Sequence, residues 1–285
     1  MPSHNAGYQI STMTRGEVEI AIDWASREGW NPGLHDAACF YAADPQGFLL
    51  GKLNGEAIST ISAVKYGDNF GFIGLYIVEK RFRHQGHGIQ IWDRALADLK
   101  GRAVGLDGVV AQQENYKRSG FALAHRNIRY AGTSAGAGGA EPTCVSLADI
   151  AFADLATYDR RFFPAQRDAF LNAWVSQPQS HALGIVENGQ LSGYGVIRAC
   201  QAGYKIGPLN AESPGIAATL FAALVGSIPP GATFYLDVPE PNRQAVALAQ
   251  SHGMTPSFET ARMYIGAAPA LPLGKIFGIT SFELG

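Results

Sequence analysis

Apolar residues along this chain recur at two periods, and the changes from one to the other mark the elements. Residues 72–78 (Phe-Ile-Gly-Leu-Tyr-Ile-Val) are aromatic and β-branched and carry no charge, which predicts a strand buried on both faces. A loop follows. Beyond it Ile89, Trp92, Leu96 and Leu99 recur at spacings of three and four, with Gln90, Asp93, Arg94 and Lys100 elsewhere. That pattern predicts a helix with one face on a sheet. Residues 15–28 predict another amphipathic helix, with Val18, Ala21, Ile22 and Ala25 inward, Thr14 as N-cap and Gly29 as stop. Residues 48–52 and 57–64 flank Leu53-Asn54-Gly55-Glu56, and Asn-Gly between two apolar runs predicts a hairpin. Residues 103–110 form a further short buried strand with one carboxylate, Asp107.

The pattern then restarts. Residues 131–141 hold four Gly and no large apolar residue, a linker composition that divides the chain into 1–130 and 142–285. In the second part, residues 182–186 and 191–198 flank Glu187-Asn188-Gly189-Gln190, repeating the first hairpin down to its turn. Ile206-Gly207-Pro208-Leu209 stands where Ile73-Gly74-Leu75-Tyr76 stood, and Tyr235-Leu236-Asp237-Val238 echoes Gly105-Leu106-Asp107-Gly108. The halves read as diverged copies of one fold. The last ten residues, 276–285, are too apolar for a free tail and are expected to be packed.

Composition narrows the function classes. The chain is 47% hydrophobic and 16% charged, a globular balance, and its formal charge of −2 offers no general attraction to nucleic acid or an anionic membrane. A small-molecule partner is favoured. Cys39, Cys144 and Cys200 are odd in number and far apart, which suggests neither a disulfide framework nor a metal site. With no signal-like N-terminus and no membrane-length apolar run, the cytoplasm is the expected location.

The loop Arg83-His84-Gln85-Gly86-His87-Gly88 carries the candidate chemistry. Two glycines leave its backbone unobstructed where the following helix exposes its first N–H groups, and Arg83 adds a charge with bidentate reach, so an anion such as a pyrophosphate is the natural guest. Taken alone, a glycine pair at a strand-to-helix turn is equally an ordinary tight turn. A P-loop is excluded because Gly88 is followed by Ile89 and Gln90, and a dinucleotide fingerprint because position 91 is Ile. Downstream, Asn115-Tyr116-Lys117-Arg118-Ser119-Gly120-Phe121 places a tyrosine four residues before a Gly-Phe pair.

Together these stretches resemble the GNAT (GCN5-related N-acetyltransferase) superfamily over roughly residues 10–130. The resemblance implies an α/β (α+β) fold of two GNAT-like domains, each a mixed, mostly antiparallel central sheet flanked by helices. It implies acetyl-CoA as co-substrate without metal, held by Tyr76, Ile77, Val78, the loop Arg83, His84, Gln85, Gly86, His87 and Gly88, then Ile89 and Asn115. It implies Tyr116 as proton donor to the leaving thiolate, and a backbone N–H around Ile77 and Val78 that polarises the carbonyl. The second half resembles a YitH-type accessory domain. Its corresponding loop, Asn210-Ala211-Glu212-Ser213-Pro214-Gly215, has no basic residue and one glycine, and Ala249 replaces the tyrosine, so it is expected to be degenerate and to bind no cofactor.

The implied reaction is N-acetyl transfer to the amine of a small molecule, by a monomer or homodimer without nucleic-acid or membrane partners. The acceptor side is less defined. Trp30, His35 and Asp36 lie in a turn-rich segment and are either acceptor-lining or a core plug with two solvated groups; Asp107 is either an acceptor ligand or a solvent-facing strand end. Glu28, His35, Asp36, Glu79 and Asp107 all stand as candidate bases. A protein that keeps the fold and binds CoA or a small ligand without catalysis is the alternative.

Overall fold

The structure, a computed structural model, describes residues 7–136 and 143–285. In the first half β1 (Tyr8–Thr12) precedes α1 (Val18–Arg27), α2 (Asp36–Ala43), β2 (Phe48–Leu53), β3 (Glu56–Tyr66), β4 (Phe70–Val78), α3 (His87–Asp98), β5 (Ala103–Val109), α4 (Gln113–Arg118) and β6 (Ala122–Thr133). The second half repeats that order with β7 (Cys144–Ser146), α5 (Phe152–Asp159), α6 (Asp168–Val175), β8 (Ser180–Glu187), β9 (Gln190–Ala199), β10 (Tyr204–Ala211), α7 (Pro214–Gly226), β11 (Thr233–Pro239), α8 (Arg243–Ser251) and β12 (Thr255–Ile265), and adds β13 (Ile276–Gly278).

Local signals act as expected at several ends. The Thr14 hydroxyl accepts the Glu17 N–H while the Glu17 carboxylate accepts the Thr14 N–H, a capping box that opens a 3₁₀ turn ahead of α1. Both Asn-Gly turns have positive φ at both residues, 51° and 87° at Asn54-Gly55 and 52° and 75° at Asn188-Gly189. Helix α3 differs from the expectation. It starts at His87 rather than Ile89, and His87, Ile91, Ala95 and Leu99 form its inward row with Trp92 beside them. Ile89, two positions off that row, is 56% exposed.

The strands of both halves join one sheet in the order β1-β2-β3-β4-β5-β12-β6-β11-β10-β9-β8-β7, with β13 on β10. Among the described residues only β4–β5 and β10–β11 pair parallel. At the centre β12 pairs with β5 of the other half and β6 pairs with β11, so each half's last long strand completes its neighbour's sheet. Strand β6 runs to Thr133, three residues into the stretch expected to be linker; residues 137–142 of that stretch lie outside the described residues.

Buried ion pairs fasten this seam. Arg198 of β9 grips Asp36 of α2 through two bonds of 2.8 and 3.1 Å, with both side chains fully buried. Arg129 of β6 holds Asp237 of β11 at 2.6 and 2.8 Å, and Arg262 of β12 holds Asp107 of β5. Lys205 of β10 donates to the Asn31 carbonyl at 2.8 Å. Burial alone would raise the pKa of Asp36 and of Asp237, yet both are lowered because their arginines, Arg198 and Arg129, together with Lys205 and the other groups around them outweigh it. Such a pair adds little over an apolar packing, but removing one partner strands the other charge in the interior.

The C-terminal segment lies between the halves and residues 276–285 are all buried, with Phe277, Ile279, Phe282 and Leu284 each under 9% exposed. It passes two glycines at corresponding positions of the repeat. A Cβ on Gly207 would fall 2.5 Å from the Thr280 carbonyl oxygen, and one on Gly74 would fall 2.0 Å from that of Glu283. Side chains at either position would push the tail away. Among the described residues no helix is long and apolar enough to cross a membrane.

Candidate active site

Strands β4 and β5 pair parallel only from Phe70↔Ala103 to Ile73↔Leu106 and then part. The register of β4 against β3 shifts between Thr60 and Ser62, Leu75 takes φ 49°, and the Thr60 hydroxyl holds the Leu75 carbonyl at 2.8 Å. This bulge bends β4 away from β5. The opening is a cavity of about 470 Å³, lined by both strands, the loop before α3, α4 and residues of the second half.

At the cavity mouth Gly86 is the N-cap of α3 with φ 85°, and no side chain caps the helix. An anion meets a dipole end and backbone donors there. Arg83, His84, Gly86, Gly88 and Ile89 line the cavity, as do Tyr76, Ile77, Val78 and Asn115. The structure adds three details of the loop. Arg83 is not a free charge: its Nε donates to the Val78 carbonyl at 2.8 Å and its Nη2 to Glu28 at 2.7 Å, tying the loop to β4 and to the end of α1. His87 turns inward, 1% exposed, and Gln85 bonds the Arg81 carbonyl instead of lining the cavity.

Tyr116 lies across the cleft on α4. Its ring stacks on Trp92 at 5.6 Å between centroids, and Tyr76 meets the same tryptophan at 5.2 Å. The ring also covers Gly108, where a Cβ would fall 2.2 Å from it. Burial, with Tyr76 adding to it, pushes the Tyr116 hydroxyl above its ordinary pKa. Tyr76 itself is pushed up to about 12, chiefly by burial. The Tyr116 hydroxyl therefore keeps its proton through the neutral range and has one to give.

The expected acceptor residues separate. Trp30 lines the cavity. Asp36 does not, because Arg198 holds it in the core, and His35 lies outside with Nε2 3.3 Å from Gln179 Oε1. Asp107 borders the cavity, but its carboxylate is taken by Arg262 and by the Asn127 amide at 2.7 Å, a structural duty that replaces both sequence alternatives. Glu28 lines the cavity while bonded to Arg83, and Glu79 does not reach it. Sequence reasoning missed Phe258, Thr260, Phe282 and Glu283, which the second half contributes to the wall. Glu283 had a visible signal: it is the one acid within residues 276–285.

The corresponding cleft of the second half is filled by the chain itself. Strands β10 and β11 pair parallel only at residues 204–206 and 234–236, then β13 pairs antiparallel with β10 while the Ile279 N–H bonds the Asp237 carbonyl of β11. Helix α7 is capped by Ser213 and opens with Pro214, and Glu212 is paired with Lys275 and Arg161. The donors that α3 presents at its end are answered there by side chains.

A split parallel pair, an uncapped glycine-rich helix start and a phenol thus meet in one cleft. The chain belongs to the GNAT acetyltransferase family: residues 17–121 match the acetyltransferase (GNAT) family, and residues 155–278 match a further acetyltransferase (GNAT) domain. It is an acyltransferase with two such domains. It is 31% identical over 269 residues to a holothin acyltransferase of Pseudoalteromonas sp. (strain SANK 73390), covering 94% of this chain and 92% of that one. Its fold is similar to that of a putative acetyltransferase from Pyrococcus horikoshii, with a TM-score of 0.83 and 22% identity over 98% of this chain and 96% of that one. It is also similar to a tandem GNAT protein from the clavulanic acid biosynthesis pathway, with a TM-score of 0.63 and 12% identity over 92% and 99% of the two chains.

Proposed function

We propose that this enzyme moves an acetyl group from acetyl-CoA to the amine of a small molecule by direct attack in a ternary complex. The observation that carries the reading is the pairing, across one open cleft, of the uncapped start of α3 with the protonated Tyr116. The residues fit the co-substrate: the backbone of the Gly86–Gly88 turn and the helix start suit its pyrophosphate, and the parted edge of β4 at Ile77 and Val78 suits its pantetheine arm and the thioester carbonyl. The thioester supplies the activated acyl group. Tyr116 gives its proton to the departing thiolate, while Tyr76 and Trp92 hold its ring in place.

The second half, assigned as an accessory domain of YitH type, binds no co-substrate in this reading because its own β13 fills the cleft, and it serves the acceptor side through Phe258, Thr260 and Phe282. The acceptor is a small amine; the 31%-identical relative makes holothin the first compound to try. The test is release of CoA thiol from acetyl-CoA across a panel of small amines that includes holothin. Thiol released only when an amine is present is the expected result. Tight acetyl-CoA binding with no release from any member would favour a CoA-binding protein without catalysis.

A further inference from the structure

Glu283 is an acid in an unusual position. It is 3% exposed, belongs to the cavity wall, and neither of its carboxylate oxygens accepts a hydrogen bond from a described residue. Its backbone is pressed against Gly74 of β4, so the carboxyl cannot drift with a loose tail. A buried carboxylate without donors is costly, and such an orphan beside a cavity calls for a donor from the ligand.

The cations that feel its charge each have another partner, although Arg198 Nη1 has no hydrogen-bond partner among the described residues. Arg129 is held bidentately by Asp237 and Arg198 by Asp36, while Lys205 donates to the Asn31 carbonyl; none of the three cations bonds Glu283, though all feel its charge. With Asp36, Asp237 and Glu283 against Arg129, Arg198 and Lys205, this cluster balances at three charges of each sign. The other carboxylates near the cavity are engaged, Asp107 by Arg262 and Glu28 by Arg83. Among the described residues Glu283 is the wall carboxylate without hydrogen-bond donors, and both its oxygens are themselves buried.

We propose that Glu283, carried into the first half's cleft by the C-terminal tail, binds the nitrogen of the acceptor amine and takes its proton. The inference rests on the amine-transfer reading above and names the residue that serves it. An acceptor arriving as an alkylammonium gives one N–H proton to the Glu283 carboxylate. The freed lone pair forms the C–N bond as the carbonyl π electrons move to oxygen. Collapse breaks the C–S bond, and the thiolate takes the Tyr116 proton. The extra proton on the new amide nitrogen returns through solvent to the Tyr116 oxygen, and Glu283 releases its proton to solvent. The sum is ammonium plus thioester giving amide, CoA thiol and one proton.

The test uses the full chain and an amine on which the wild type is active. Glu283→Gln keeps the shape and removes the base. The expected result is unchanged acetyl-CoA affinity by calorimetry, a fall in kcat/KM for the amine on the order of 10²–10⁴-fold near pH 7, and a deficit that shrinks as pH rises toward the amine's own pKa near ~10. Tyr116→Phe, lacking the acid and not the base, gains no such relief. A purely packing role for Glu283 would lower acetyl-CoA affinity and turnover together at every pH. A Glu283→Gln enzyme within about threefold of wild type would overturn the proposal while leaving the transfer reading standing, whereas a wild type inactive on every amine would end both. If the variant does not fold, the wild-type complex with CoA and the amine decides: nitrogen within hydrogen-bond reach of Glu283, about 3 Å, supports the assignment, and a nitrogen directed elsewhere overturns it.

Discussion

Replacing Gly74 by alanine adds one methyl at the point where the C-terminal tail crosses β4. The ideal Cβ lies 2.0 Å from the Glu283 carbonyl oxygen, 2.8 Å from its carbonyl carbon and 3.0 Å from its Cα. All three are backbone atoms, so no rotamer relieves the overlap. Ordinary contact begins at 3.4 Å, and the tail has to retreat by the difference from 2.0 Å, about 1.4 Å. Overpacking of this kind costs roughly 1–3 kcal/mol. At about 2–4 °C per kcal/mol for a domain slightly smaller than this chain, Tm falls by roughly 2–12 °C. The same retreat takes Phe282 and Glu283 from the cavity wall, so KM for the amine rises while the loop at Gly86 still takes acetyl-CoA. Gly215→Ala is the control, because its Cβ meets only Ser213 Oγ at 3.9 Å in the first turn of α7, and it is expected to leave Tm level or raise it slightly. Thermal melts and steady-state kinetics on the three proteins read both effects. A Gly74→Ala enzyme that melts with the wild type and keeps its amine KM would refute the packing of the tail on β4.

Tyr116→Phe keeps the ring on Trp92 and removes the proton donor, so turnover falls on the order of 10²–10⁴-fold with acetyl-CoA affinity unchanged; full turnover in the folded variant would reduce Tyr116 to packing. Asp36→Asn leaves the Arg198 charge unmatched in the interior and is expected to cost roughly 3–5 kcal/mol at neutral pH, read by chemical denaturation. Because the folded pKa of Asp36 and of Asp237 lies below the unfolded value of ~3.9, their contribution is present above that pH and is lost as pH falls through the folded values. Melts from pH 8 to pH 3 should therefore show a shallower acid slope for Asp36→Asn than for wild type, and parallel curves would contradict the assignment.

What the sequence made legible was local. The Asn-Gly hairpins, the central strand and the loop into α3 follow from turn chemistry and periodicity within a few residues, and the repeat was visible because both halves keep those signals. Strands β6 and β12 were not visible, although they join the halves. Their buried positions include Asn127, Arg129, Thr260 and Arg262, which break an apolar alternation and are tolerated only because Asp237 and Asp107 answer them from distant strands. The same blindness misplaced Asp36, whose partner Arg198 is 162 positions away. A lone acid at a strand or helix start reads as functional until its cation is found. The second cleft was legible in part: Pro214 and Glu212 spoke against an anion, but nothing local said that β13 would occupy the space.

The central claim is that one of two related clefts takes acetyl-CoA, and titration calorimetry of acetyl-CoA into the full chain tests it most directly, with Gly86→Asp beside the wild type. That variant places a side chain and a negative charge on a φ of 85° at the start of α3. One site per chain in the wild type, lost or severely weakened in Gly86→Asp with the melting curve intact, is the predicted result. Two sites, none, or a single site indifferent to the substitution would contradict it.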